Sequence, residues 1–276
     1  MDYMSILSPV LVIGGMGLVF GLALGFAGKI FYVKEDERVV AVSAALPGVN
    51  CGACGYAGCG AFAKAVVQGA AKGSQCPVAD NGVLAEIAGI MGTELEIGAK
   101  TAAFVKCGGG HSNSEYRYDY QGLDDCRAAM LLTGGGSKSC KYGCLGNSSC
   151  VRVCPFGAID MVNGIAVINE KCTSCGLCVP ACPRDLIAIV PAEGYTRVAC
   201  NSHDMGRAVR DVCQNGCISC RLCMRACADE AIVFEDSLAT VNYEKCTQCG
   251  LCVEKCPTKC IISTGSPKEK ETAKDE

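Results

Sequence analysis

Tryptophan is absent from this 276-residue chain, and there are only 7 phenylalanines and 9 tyrosines. Aromatic side chains carry large shares of buried apolar area in ordinary cores. Their scarcity excludes large domains held by conventional packing. Histidine is scarce too: His111 and His203 are the only two, neither in a metal-ligand spacing, and both read as surface or loop residues. The net charge of −3 lacks the basic excess of a nucleic-acid binder, so no nucleic-acid partner is expected. Phosphate-binding loops and catalytic triads are missing, and no G-x-G-x-x-G follows a predicted strand. Gly108–Gly110 and Gly134–Gly136 lack that context and read as flexible connections. A dinucleotide or flavin site is therefore not expected on this chain.

What the chain has is cysteine, 25 residues of 276. In a short secreted chain such a content signals a disulfide scaffold. The spacing argues against that here. In Cys172-Thr-Ser-Cys175-Gly-Leu-Cys178-Val-Pro-Ala-Cys182-Pro183 thiols recur every third residue, and a fourth follows before proline. Cystine pairing does not need such regularity, and zinc knuckles want paired C-x2-C units separated by a longer loop. The run is that of a bacterial [4Fe–4S] ferredoxin, whose fourth cysteine ligates the neighbouring cluster. So many cluster-binding thiolates imply a reducing compartment, the cytoplasmic side. In modules this poor in aromatics, bound clusters act as staples for the fold.

The run returns. Cys172, Cys175, Cys178 and Cys182 shifted by 74 give Cys246, Cys249, Cys252 and Cys256. Cys140, Cys144, Cys150 and Cys154 shifted by 73 give Cys213, Cys217, Cys223 and Cys227, and Cys126 shifted by 74 gives Cys200. A unit of about 65 residues is duplicated. The crossed-ligand rule assigns Cys217, Cys220, Cys223 and Cys256 to one cluster, and Cys246, Cys249, Cys252 and Cys227 to another. In the first copy Cys172, Cys175, Cys178 and Cys154 form a third. Asn147 stands where the second copy has Cys220, and the simplest repair groups Cys140, Cys144 and Cys150 with Cys182.

Upstream, Ile6 to Val33 is almost wholly apolar, with Lys29 the only charge, and predicts a membrane span over about Ser8–Phe26. Lys29, Lys34 and Arg38 follow the span, which puts the N-terminus outside and the remainder in the cytoplasm. Gly17, Gly21 and Gly25 form a stripe on which another membrane helix could pack. Next comes Cys51-Gly-Ala-Cys54-Gly-Tyr-Ala-Gly-Cys59, then Cys76 after an alanine-rich helix predicted over Ala61–Ala71. These four cysteines make a further [4Fe–4S] site. Twenty cysteines thus serve five clusters. Cys107, Cys126, Cys200 and Cys213 are left as candidates for an extra metal site, against a reading as buried thiols. Cys260 reads as structural or spare.

The C-x2-C-x4-C-x16-C module resembles the small iron–sulfur domain of the B subunit of Rnf complexes and of corrinoid iron–sulfur proteins. Together with the span and the ferredoxin repeats, in that order, the chain resembles the Rnf B subunit in a long form with two ferredoxin units. The implied fold class is a membrane-anchored multidomain protein: one N-terminal transmembrane helix, a small helical [4Fe–4S] domain and two α+β bacterial-type two-cluster ferredoxin-like units. The expected divisions are an anchor (1–33), the four-cysteine domain (34–92), a connecting segment (93–136), a first ferredoxin unit (137–191), a connector (192–212), a second unit (213–264) and a disordered tail (265–276). The resemblance implies an electron-transfer subunit of a redox-driven translocase, a membrane-bound ferredoxin:NAD+ oxidoreductase coupled to Na+ or H+ transport. Its partners would be soluble reduced ferredoxin, integral-membrane and peripheral Rnf subunits, and the lipid bilayer of the bacterial cytoplasmic (inner) membrane. Two other readings stay open at this point. One is a membrane-anchored polyferredoxin relay for a hydrogenase or quinol-linked reductase. The other is a metal-storage or structural protein with no electron path.

Overall fold

The computed structural model describes residues 3–31, 36–94, 100–192 and 196–263, with only the backbone of residues 3–9. Lys34 and the tail 265–276 lie outside the described residues.

Helix α1 (Tyr3–Ile30) contains the apolar stretch Val10–Ile30. At 1.5 Å per residue that stretch is about 31 Å long, the hydrocarbon thickness of a bilayer. Its large side chains, Leu11, Phe20 and Leu24 among them, are all more than half exposed. A Cβ added at Gly17, Gly21 or Gly25 would meet nothing within 4 Å, so the glycine stripe stays uncovered among the described residues. Such a surface belongs in lipid or against another apolar helix, not in water.

Three helices then form the first module. In α2 (Glu37–Ala45) the Asp36 carboxylate caps the start, accepting from the Arg38 N–H at 2.9 Å. Next are α3 (Cys59–Val67) and α4 (Asn81–Met91), the latter capped by Asp80, which accepts from the Val83 N–H at 2.9 Å. Val42, Phe62, Ala63, Val66 and Ile87 form the core between them. The alanine-rich helix ends at Val67, short of Ala71, because Gly69 turns into the left-handed region at φ 73°.

The remaining residues fold twice on one plan. The first unit runs β1 (Thr101–Val105), α5 (Cys126–Met130), α6 (Ser149–Arg152), β2 (Ile159–Val162), β3 (Ile165–Ile168), α7 (Cys178–Ala181) and β4 (Ile187–Pro191). The second runs β5 (Thr196–Val198), α8 (Gly206–Arg210), α9 (Leu222–Ala226), β6 (Ile232–Glu235), β7 (Leu238–Val241), α10 (Leu251–Glu254) and β8 (Ile261–Ser263). In each, an inner hairpin (β2–β3, β6–β7) lies beside an outer antiparallel pair closed over a long loop (β1–β4, β5–β8). The outer pair moves both unit boundaries. β1 lies in the segment expected as a connector, 93–136, and β5 lies in 192–212. Such strands carry no local turn signal, since their partners are far along the chain, as with Thr101 opposite Pro191 in the first unit.

The units are tied edge to edge. The Gly108 N–H donates to the Ala199 carbonyl at 2.7 Å, and the Glu115 N–H to that of Val212 at 3.0 Å. Phe104, Val190 and Ala199 form a small shared core. Arg197, 6 % exposed, lays its guanidinium over the Phe104 ring and donates to the Pro191 and Ala192 carbonyls at 2.9 and 3.0 Å.

Candidate iron–sulfur sites

Cysteine side chains supply half of the buried core of the second unit: Cys200, Cys217, Cys223, Cys252 and Cys260 stand with Val198, Ile232, Leu238, Ala239 and Ile261. A core this thin gains its cohesion from what the thiols bind. The loops are wound to converge them. Between Cys172 and Cys178, Ser174 and Gly176 take left-handed φ of 61° and 75°; Gln248 and Gly250 repeat this at 61° and 76°. A left-handed step costs a non-glycine residue about 1 kcal/mol, yet it turns thiols three residues apart toward one centre. Each short helix serves two centres: Cys150 lies in the first turn of α6 and Cys154 follows the helix, while Cys178 opens α7 and Cys182 caps it.

The thiols gather around separate cavities. Cys154, Cys172, Cys175 and Cys178 line one, and Cys217, Cys220, Cys223 and Cys256 line another together with Cys260, the thiol read from the sequence as structural or spare. Cys246 and Cys249 act electrostatically on Cys252, and Cys227 packs against the same core. In the first module Cys51 and Cys54 act on Cys76, while Cys54 and Cys59 pack against the same core. Asn50 accepts from the Cys59 N–H at 2.8 Å and pins the turn.

The expected set Cys140, Cys144, Cys150 and Cys182 is not what the fold assembles. Cys126 joins Cys144, Cys150 and Cys182 around one cavity. Cys140 faces a different one with Cys107, Cys200 and Cys213. The extra group expected from Cys107, Cys126, Cys200 and Cys213 therefore exchanges Cys126 for Cys140. The cause is an insertion. Residues 108–139 separate Cys107 from Cys140, where the second unit has only 201–212 between Cys200 and Cys213. Cys107 follows β1, and Cys200 follows β5, by the same two residues, so these two are the repeat pair. Cys126 has no counterpart and sits on the insertion, where it lines the cavity beside Cys144, Cys150 and Cys182. It is fixed there by Asp125, which accepts from the Arg127 and Ala128 N–H groups at 2.7 and 3.0 Å and pairs with Arg152 at 2.9 Å. The Cys126 N–H donates to Ser149 Oγ at 2.8 Å. The shared pattern Val105-Lys-Cys107 and Val198-Ala-Cys200 is the signal in the sequence that marks the true pairing.

Among the described residues no three Cys, His, Asp or Glu side chains converge tightly enough to hold one metal ion. Four thiols around one cavity are the donor set that a [4Fe–4S] cluster takes. Burial pushes the Cys150 and Cys200 thiols up to about 12, and those of Cys178 and Cys223 to about 11, so ligation must expel their protons. Cys260 does the reverse for its neighbours: its thiol lies 3.6 Å from Cys256 Sγ and lowers Cys256 to about 5, and it also pulls Cys217 down.

Arg184 holds the altered loop. It donates to the Cys140 carbonyl at 3.0 Å and to those of Gly143 and Gly135 at 2.5 Å each. Arg184→Ala leaves three carbonyls unsatisfied. It is expected to cost about 3 kcal/mol, read as a lower urea midpoint of the cluster-loaded protein under anaerobic conditions.

These features define a class: an iron–sulfur electron carrier with several [4Fe–4S] centres behind one membrane-length helix. Family models agree, with an Fe-S cluster family over 46–78, the LdpA Fe-S cluster-binding domain over 140–193, and 4Fe-4S binding domains over 214–230 and 239–262. The B subunit of the Na(+)-translocating ferredoxin:NAD(+) oxidoreductase complex of Acetobacterium woodii is 46% identical over 259 residues, 93% of this chain and 78% of that protein. The B subunit of the ion-translocating oxidoreductase complex of Methanosarcina acetivorans is 40% identical over 93% of this chain and 97% of its own length. The counterpart from the proton-translocating complex of Clostridium ljungdahlii is 38% identical over 84% of this chain and 82% of its own. The chain belongs to the B-subunit family of ion-translocating (Rnf) oxidoreductase complexes.

Proposed function

We propose that this chain takes electrons from reduced ferredoxin and relays them to membrane subunits of an ion-translocating ferredoxin:NAD+ oxidoreductase. The observation that carries the reading is that the cysteine sets fall in one unbroken order. Burial raises the Cys175 thiol, and Cys51 of the first module adds to that electrostatically. Cys150 and Cys154, one helical turn apart at α6, belong to adjoining sets. The Cys144 N–H donates to Cys107 Sγ at 3.3 Å, and on the far side the Cys217 N–H donates to Cys200 Sγ at 3.2 Å. Cys223 and Cys227 at α9 repeat the crossing in the second unit.

The order begins at Cys51, in the module that follows the membrane-length helix along the chain, and ends at Cys246. We assign four cysteines to each of six [4Fe–4S] centres, the Cys107, Cys140, Cys200 and Cys213 set being the sixth. When bound, such clusters supply one-electron carriers with potentials set by charge, hydrogen bonds and exposure. The protein's part is to fix their spacing, keep water out and donate N–H groups to sulfur. Lys29 and Arg38, after the span, favour the cytoplasmic side for these domains. The glycine stripe offers α1 a close contact with an integral-membrane partner.

The test is ferredoxin-dependent NAD+ reduction in sealed membrane vesicles with and without this chain, while Na+ and H+ movements are followed. Loss of both activities without the chain, and their return on adding it back, upholds the reading and identifies the ion. Unchanged NAD+ reduction would make the chain a relay for another membrane enzyme, such as a hydrogenase.

A further inference from the structure

Lys138 is a charged residue that the relay described above does not use. Its side chain is 1 % exposed. Nζ donates to the Gly109 carbonyl at 2.5 Å and lies 5.4 Å from the centre of the Tyr116 ring. Among the described residues no carboxylate forms an ion pair with it. Burying an ammonium without an opposite charge is strongly unfavourable, so the counter-charge must come from what it faces.

It faces the junction thiols. The Lys138 stem and the sulfurs of Cys107 and Cys140 converge on Gly143. A Cβ added there would stand 3.2 Å from Lys138 Cδ and 3.5 Å from each sulfur. The carbonyl that Nζ binds belongs to Gly109, where an added Cβ would come within 2.9 Å of Cys213 Sγ. Lys138 lines one cavity with all four cysteines. The second unit supplies no matching cation, since the 73-residue shift brings Lys138 onto Asp211, which is exposed and paired with Arg207.

We propose that Lys138 is the buried counter-ion of the Cys107, Cys140, Cys200 and Cys213 centre, and that it raises the reduction potential of this centre above those of its two neighbours. The inference rests on reading those four cysteines as an iron–sulfur site. Each reduction adds one negative charge, which a fixed ammonium stabilises more than it stabilises the oxidised form. The electron comes from an adjoining reduced centre, which is oxidised by one electron, and no proton or outside reagent is consumed. Electrons therefore collect at the seam between the two units, where Cys107 and Cys140 come from one and Cys200 and Cys213 from the other.

The experiment uses the full chain in detergent under anaerobic conditions, with iron analysis and EPR-monitored redox titration. Cys213→Ala marks the junction centre as the signal it removes; if this variant binds as much iron as the unaltered protein, the four-cysteine site itself is refuted, separately from any role of Lys138. Lys138→Met is expected to keep its iron and shift the marked signal to lower potential, by at least tenfold in the one-electron equilibrium (about 59 mV). Lys138→Arg should titrate like the unaltered protein. An unshifted marked signal in Lys138→Met overturns the proposal. Should Lys138→Met lose that iron, Lys138→Arg decides: retained iron at the unaltered potential upholds the counter-ion, and loss of the centre despite the guanidinium overturns it.

Discussion

Cys54→Ala is expected to reduce ferredoxin-dependent NAD+ reduction in membrane vesicles to the level of vesicles lacking the chain, with the distal centres still reducible by ferredoxin. Cys54 packs against the core formed by α2, α3 and α4 and acts electrostatically on Cys76. Removing it deprives the first module of one of its four thiols. Burial raises the Cys175 thiol of the first ferredoxin unit, and Cys51 of this module adds to that electrostatically. The order of the sets offers no second route between that unit and the membrane helix, so the expected effect is a break and not a slowing. The ferredoxin units have separate cores, shared with neither α3 nor α4, and should keep their iron. EPR after reduction with ferredoxin, measured on the same vesicles as NAD+ reduction, checks both halves. Normal flux would refute the route through this module.

The second large effect concerns Cys126 and Cys140. Each single alanine variant is expected to lose about four irons, and the double variant about eight, because the two thiols border different cavities. If Cys140 instead completed the set with Cys144, Cys150 and Cys182, and Cys126 were a buried thiol outside any centre, Cys126→Ala would keep its full iron. Iron and acid-labile sulfide per chain, measured on anaerobically purified protein, separate the two groupings. The EPR spectra should differ as well. Cys126→Ala removes a centre inside the first unit, and Cys140→Ala removes the one at the seam, so the lost signals should not coincide.

Much of the site was legible because iron–sulfur ligation is encoded locally. One short loop carries three thiols for one centre, and the cysteine one helical turn further on serves the neighbouring centre, as in Cys172, Cys175 and Cys178 followed by Cys182. The left-handed residues 174 and 176 that wind such a loop are local as well. The reading failed where ligands come from separate stretches of chain. Shifting the sequence by one constant offset aligned Cys126 with Cys200, because an offset cannot allow for the insertion between Cys107 and Cys140. The strands make it plain: β1 and β5 occupy the same place in their outer pairs, and Cys107 and Cys200 follow them alike, in the short matching stretches Val105-Lys-Cys107 and Val198-Ala-Cys200. Lys138 was silent for a related reason. It becomes notable only when folding buries it in the cavity of the junction thiols, with no carboxylate paired to it among the described residues.

The sequence by itself determined the membrane-length apolar helix, the chemistry of the ligands and the duplication, since each is written as an uninterrupted run: apolar residues over Val10–Ile30, cysteines every third residue, and that spacing repeated 74 residues later. The tertiary structure alone decided which thiols share a cavity across the two units, and in what order the cavities follow. Those relations depend on closing β1 against β4 and β5 against β8 over long loops. The resulting contacts join residues whose separation in the chain carries no periodic signal.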